Sequence, residues 1–181
     1  IISSDITVNG ADNVIFDGYG LYTLFDVRGT FTLHDGIVQT AWTAIRSNGT
    51  LTITNSLFRD NQAYDRGAAI VNMGVATITN STFMGNETDE GGAIWNSGTL
   101  TITDSHFVMN MAYSHGGAIH NEGNIIITGS QFSQNHAPNG DGGTIDNWGN
   151  LTVETSIFTD NHARSGGVIA NLENVNIQES I

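Results

Sequence analysis

An all-β chain wound as a parallel β-helix, a three-sheet solenoid of roughly seven rungs, is what this sequence predicts, on three observations. The first is a self-similar period. Phe58, Phe83, Phe107, Phe132 and Phe158 recur at intervals of 25, 24, 25 and 26 residues, each three residues before an Asn (Asn61, Asn86, Asn110, Asn135, Asn161). The second is a Gly-rich step after each FxxN: GAAI from Gly67, GGAI from Gly91 and Gly116, GGTI from Gly142 and GGVI from Gly166. Each step leads to a further Asn (Asn72, Asn96, Asn121, Asn147, Asn171). The third is alternation within segments such as LTIT, which places Leu100 and Ile102 on one face of a strand and Thr101 and Thr103 on the other. A fixed period of this length marks a solenoid. Three short strands per repeat leave no room for a helix, so each strand pairs with its equivalent one rung on, about 4.8 Å away, giving a rod about 34 Å long.

Taken in order, residues 1–50 make irregular first rungs. Short apolar runs at Ile6–Val8, Val14–Phe16 and Leu24–Val27, separated by Asn, Asp and Gly, read as strands with turns between them. Residues 31–50 are a shorter copy, with Phe31 and Leu33 standing where Leu51 and Ile53 stand later, and Ala44 and Ile45 where Ala69 and Ile70 do. Regular repeats occupy 51–75, 76–99, 100–124, 125–150 and 151–174, with a partial copy over 175–181. The chain reads as a single domain that forms part of a longer chain or assembly.

Comparison among the copies separates inside from outside. The columns Ile53, Ile78, Ile102, Ile127, Val153, Ile177 and Ile70, Ile94, Ile119, Ile145, Ile169 hardly vary and belong in the core. Phe58 and its equivalents should stack inside, each burial worth roughly 1.5–3 kcal/mol. Both sets of repeated Asn read as internal amide ladders, and Ser56, Ser81, Ser105, Ser130, Ser156 and Ser180 as a similar column at the turn after LTIT. The column Val71, Trp95, His120, Asp146, Ala170 varies freely, so it is expected to face out.

Composition narrows the partners. Net charge is −13, from 18 acidic residues against five Arg and no Lys. Nucleic acid and anionic membranes are therefore poor partners on electrostatic grounds, and no nucleic acid is expected. No stretch is long and apolar enough for membrane insertion. With no Cys, disulfides and thiolate metal sites are out.

The pairing of GGA[ILV] with FxxN through N-x-G-x-L-T-I-T resembles the repeats of the polymorphic outer-membrane proteins and related adhesin-like proteins. It covers residues 51–181 well and 1–50 loosely. The resemblance implies a right-handed parallel β-helix of the pectin-lyase type. It also implies an extracellular or cell-surface location, and a non-enzymatic role as a stalk, filament or adhesin-like segment.

Chemistry on such a fold needs a constellation, and the fold by itself does not supply one. Polysaccharide lyase or hydrolase chemistry, the rival reading, calls for a basic residue beside clustered carboxylates or for two carboxyls at a set separation. The Arg residues mostly sit in corner loops without a shared column of acids, so no catalytic residue and no cofactor is assigned. Asn86, Glu87, Asp89 and Glu90 concentrate oxygen ligands suited to Ca2+. His136 and His162 occupy equivalent places and should lie on adjacent rungs. Outward Thr pairs (Thr52 and Thr54, Thr77 and Thr79, Thr101 and Thr103) resemble the face of ice-binding proteins, with Ile126, Glu154 and Asn176 interrupting the array. For recognition of a glycan or a cell-surface ligand, the outward candidates are Trp95, Trp148, Tyr113 and Met111. Unpaired strand edges at the ends of a β-helix predict self-association by end-to-end β-stacking, or cover by further rungs of the same protein.

Overall fold

Each turn of the chain climbs by one strand spacing, so backbone groups that a lone strand would leave unpaired are satisfied by the rungs above and below. A computed structural model describes residues 1–10 and 14–181. The turn before Val14 thus lies partly outside the described residues. All named elements are strands. The longest sheet, here the LTIT sheet, has eight strands from Ile6–Asn9 to Asn174–Gln178, hence seven turns between first and last. Its strands are parallel and in register, with Ile53, Ile78, Ile102 and Ile127 successive partners. The Phe sheet, from Ile15–Asp17 to Ile157–Thr159, and the Ile-Asn sheet, from Phe25–Val27 to Ile169–Asn171, have seven strands each.

The expected three sheets run the length of the rod, and a fourth adds to them. Glu87–Glu90, Met111–His115, His136–Asp141 and His162–Ser165 pair as a flank sheet where the sequence suggested only corners. Isolated bridges Trp42 to Gln62 and Gln62 to Glu87 continue one of its rows toward the N-terminus. The rung between Phe31 and Leu51 is shorter because it lacks this flank segment: Trp42 pairs with Gln62 and Ala44 already bonds to Ala68.

The core repeats as the sequence predicts. Phe58, Phe83, Phe107, Phe132 and Phe158 stack with centroids 4.7–5.0 Å apart and planes within 12°. In the rung before Phe58, Val38 takes the Phe position, and Phe16 holds it one rung earlier. Larger residues elsewhere in that layer offset its lost volume: Phe25 and Phe31 stack at 4.7 Å, with Phe16 edge-on to Phe25.

Both amide ladders form. In the first, each Asn accepts from the backbone N–H and the Nδ2 of the Asn one rung before, as Asn110 does from Asn86 at 3.1 and 2.9 Å. In the second, Asn72, Asn96, Asn121, Asn147 and Asn171 are linked by Nδ2 to Oδ1 bonds of 2.6–2.7 Å. The Ser column works the same way, the Ser81 Oγ accepting from the Ser56 N–H at 3.1 Å.

The Gly step has a steric reason. Gly67, Gly91, Gly116 and Gly142 adopt φ of 51–67°. At Gly91 a Cβ would stand 2.2 Å from the Ile94 carbonyl oxygen, and at Gly92 a Cβ would stand 2.1 Å from the Gly117 oxygen of the next rung. The chain therefore folds back tightly enough for the flank sheet to lie over the outer side of the Ile-Asn sheet. That corrects one expectation: Val71, Trp95, His120 and Asp146 alternate with the core-facing Ile and Asn residues but are buried, and Ala170 is half-buried.

Candidate functional site

Inward residues are committed to the fold, so any site must be built from outward side chains. The flank sheet and the corner beside it collect those that break the repeat. All four Tyr of the chain lie there or in the preceding loop: Tyr19, Tyr22 and Tyr64 are well exposed, and Tyr113 is 45% exposed. Half-buried Trp42 joins them, its backbone N–H bonded to the Tyr22 carbonyl. The Trp42 and Tyr64 rings meet edge to face at 4.2 Å. In register with Trp42 come Gln62, Glu87, Met111, His136 and His162. Tyr113 donates its hydroxyl to Glu87. This bond, and then the charge of Glu87, raise the Tyr113 pKa above its ordinary value.

Trp42, Gln62, Ala63, Tyr64, Glu87 and Tyr113 line a hollow of about 220 Å3. Gln62 also borders a second hollow, of about 540 Å3, with Asp17, Tyr19 and Asp60. Asp17 is held below the usual carboxylate range by its hydrogen bonds, first from Thr40, then from Gln39 and the Tyr19 backbone N–H. Arg59 donates to Gln39, which ties it to the same network.

A second cluster sits where the flank sheet covers the Ile-Asn sheet. Buried Asp146 accepts from Trp148 Nε1 at 2.8 Å and lies 3.1 Å from His120 Nδ1. His115 Nδ1 is 3.3 Å away, near enough for an ion pair when protonated but not aligned as a hydrogen bond. A carboxylate taken out of water requires such donors. They also fix the Trp148 ring, which remains 46% exposed beside a hollow of about 300 Å3.

Two of the expected sites change. Trp95 is not an outward contact: it is 4% exposed, with the Arg66 guanidinium 4.6 Å above its ring. Asn86, Glu87, Asp89 and Glu90 do not converge on a cation. The Asn86 Oδ1 accepts two bonds from Asn61, Glu87 accepts from Tyr113, and Asp89 accepts from Ser114 Oγ. Among the described residues no three His, Asp or Glu groups are arranged to hold a metal. Trp148 and Tyr113 are exposed as expected, and Met111 is half-buried on the flank. His136 and His162 are partners on adjacent rungs, their rings 6.4 Å apart. Trp42 and Tyr64 were not among the expected contacts, because the short rung carrying Trp42 has neither repeat motif and its alignment with Gln62 is hidden; their failure to recur is the signal that marks them.

The geometry defines a parallel β-solenoid with an added flank sheet. The family model described as a right handed beta helix region matches residues 6–180, and the chain belongs to that family. No curated protein and no solved structure matches it.

Proposed function

We propose that the chain is a non-enzymatic, adhesin-like rod of an extracellular or cell-surface protein, of the kind implied by the resemblance to polymorphic outer-membrane repeats. The supporting observation is a division of labour between faces. Phe, Asn and Ser columns repeat inward on rung after rung, whereas the flank column Trp42, Gln62, Glu87, Met111, His136, His162 changes at almost every step. A surface that varies independently of the fold suits display and recognition. Three of the five Arg side chains are held by neighbours: Arg28 pairs with Asp26, Arg66 with Asp65, and Arg59 serves Gln39. Immunogold labelling of the native cells tests the proposal. Label on the cell surface or in extracellular material is expected, and label confined to the cytoplasm overturns it.

A second reading attaches to the LTIT sheet. Its register aligns Thr7, Thr32, Thr52, Thr77 and Thr101 in one outward column and Thr54, Thr79, Thr103 and Thr128 in another. Glu154 is the one Asp, Glu, Lys or Arg on those eight strands, and His34 stands in the Thr54 column. A flat, regular, nearly uncharged hydroxyl face suits ice. Faceted crystals in a slowly cooled solution would support that reading, and rounded discs would dismiss it.

A further inference from the structure

We propose that the groove running from Tyr19 to Tyr113 along the corner and flank sheet binds a neutral, extended polysaccharide. This rests on the adhesin-like reading and supplies the ligand that such a rod would hold.

The fold does not require these residues. Later copies place His136 and His162 in the row of Trp42, and Tyr64 and Tyr113 have no Tyr equivalent in the His136–Asp141 or His162–Ser165 strands. Large aromatic rings left in solvent mark a contact surface, and Tyr19 and Tyr64 are the most exposed of these. The hollow beneath them is polar as well as aromatic. Trp42 and Tyr64, in edge-to-face contact, present ring surface, and the Gln62 amide and the Glu87 carboxylate share the lining with them. Across Gln62 the second hollow adds Asp17, Asp60 and the Tyr19 ring.

That combination fits the chemistry of a sugar. The axial C–H face of a pyranose stacks on an aromatic ring, while its hydroxyls donate to carboxylates and exchange bonds with an amide. Carboxylates and an amide share the lining of both hollows with the rings, which differs from the apolar core that a protein partner would bury. The spacing also suits a chain molecule. Successive rungs are about 4.8 Å apart, close to the advance of one pyranose unit in an extended glycan.

Charge selects among glycans. Asp17, Asp60 and Glu87 border the groove, and the whole chain carries −13. Arg59 is engaged by Gln39 and Arg66 by Asp65 and the Trp95 ring. An acidic polysaccharide would meet repulsion along the groove, whereas a neutral one finds acceptors for its hydroxyls.

The test is calorimetric titration of the chain with cellohexaose, xylohexaose, mannohexaose and laminarihexaose, with polygalacturonate and poly-lysine as alternatives. Binding of at least one neutral hexasaccharide is expected. Trp42→Ala and Tyr64→Ala should each weaken it by about tenfold, the loss of one stacked ring, and Ile126→Thr, at an exposed position of the LTIT sheet, should leave it unchanged. Tyr64 is 82% exposed, so Tyr64→Ala keeps the fold and remains decisive if Trp42→Ala does not. The proposal is overturned by any of three results: no neutral hexasaccharide bound at millimolar concentration, binding of polygalacturonate or poly-lysine alone, or wild-type affinity in folded Tyr64→Ala. Product analysis of the same mixtures separates the two levels. Sugars bound and left intact support both, absent binding removes only the groove, and sugars cleaved would remove the non-enzymatic reading itself.

Discussion

At the scale of single residues, stability is concentrated where one side chain serves two rungs. Asn110 donates Nδ2 to the Phe83 carbonyl and to Asn135 Oδ1, and its own oxygen accepts twice from Asn86. Asn110→Ala strands several buried groups at once, so a loss of about 3 kcal/mol or more is expected in denaturant unfolding. A loss below about 1 kcal/mol would mean that water replaces the ladder. Corners act in the opposite sense. Met109 is held at φ 53° at a corner where the preceding repeat has Gly85 at φ 63°. Met109→Gly should therefore raise stability by about 1 kcal/mol, readable as a higher denaturation midpoint. Tyr113 gives a pH signature. Its folded pKa is raised by the Glu87 bond, so the stabilisation from that bond is complete below the ordinary phenol value and is lost as pH rises through the raised one. Phenolate absorbance of Tyr113 should appear at a higher pH than is ordinary for a phenol, and Glu87→Gln should lower it.

At the scale of elements, the sequence made the inward half legible and the outward half only partly so. Repetition exposes whatever the fold demands of every rung, which is why the Phe stack, both Asn ladders and the Ser column could be read from spacing alone. The flank sheet could not be read in this way. Its members ETDE, MAYSH, HAPNGD and HARS share backbone pairing but almost no side chains, and their register shifts between rungs. Backbone hydrogen bonds are indifferent to sequence, so this sheet leaves little pattern. The same gap explains the misplaced column at Trp95: free variation marks it as lying outside the core, but the strand that covers it cannot be foreseen. Arg66 is the cover there, and Arg66→Ala should shift Trp95 fluorescence to longer wavelength in a Trp42→Phe, Trp148→Phe background. An unchanged spectrum would place the shielding elsewhere in the flank. Asp146 carries the same lesson: its neighbours His115, His120 and Trp148 come from two different repeats, so no single repeat contains all three.

At the scale of the whole molecule, parallel pairing over seven turns makes the rod stiff, and stiffness is what a display surface needs. An enzyme would require a fixed constellation on that surface. On the reading proposed above, the groove from Tyr19 to Tyr113 holds a polymer through its rings, an amide and carboxylates, with Arg59 and Arg66 engaged by their neighbours. The measurement that tests this account most directly is prolonged incubation of the chain with neutral and acidic polysaccharides, with and without added Ca2+, followed by analysis of chain length and new ends. Polymers of unchanged length, with neutral ones retained on the protein, are the predicted result. New reducing or unsaturated ends that vanish on substitution of Asp17, Asp60 or Glu87 would contradict it and make the groove an active site.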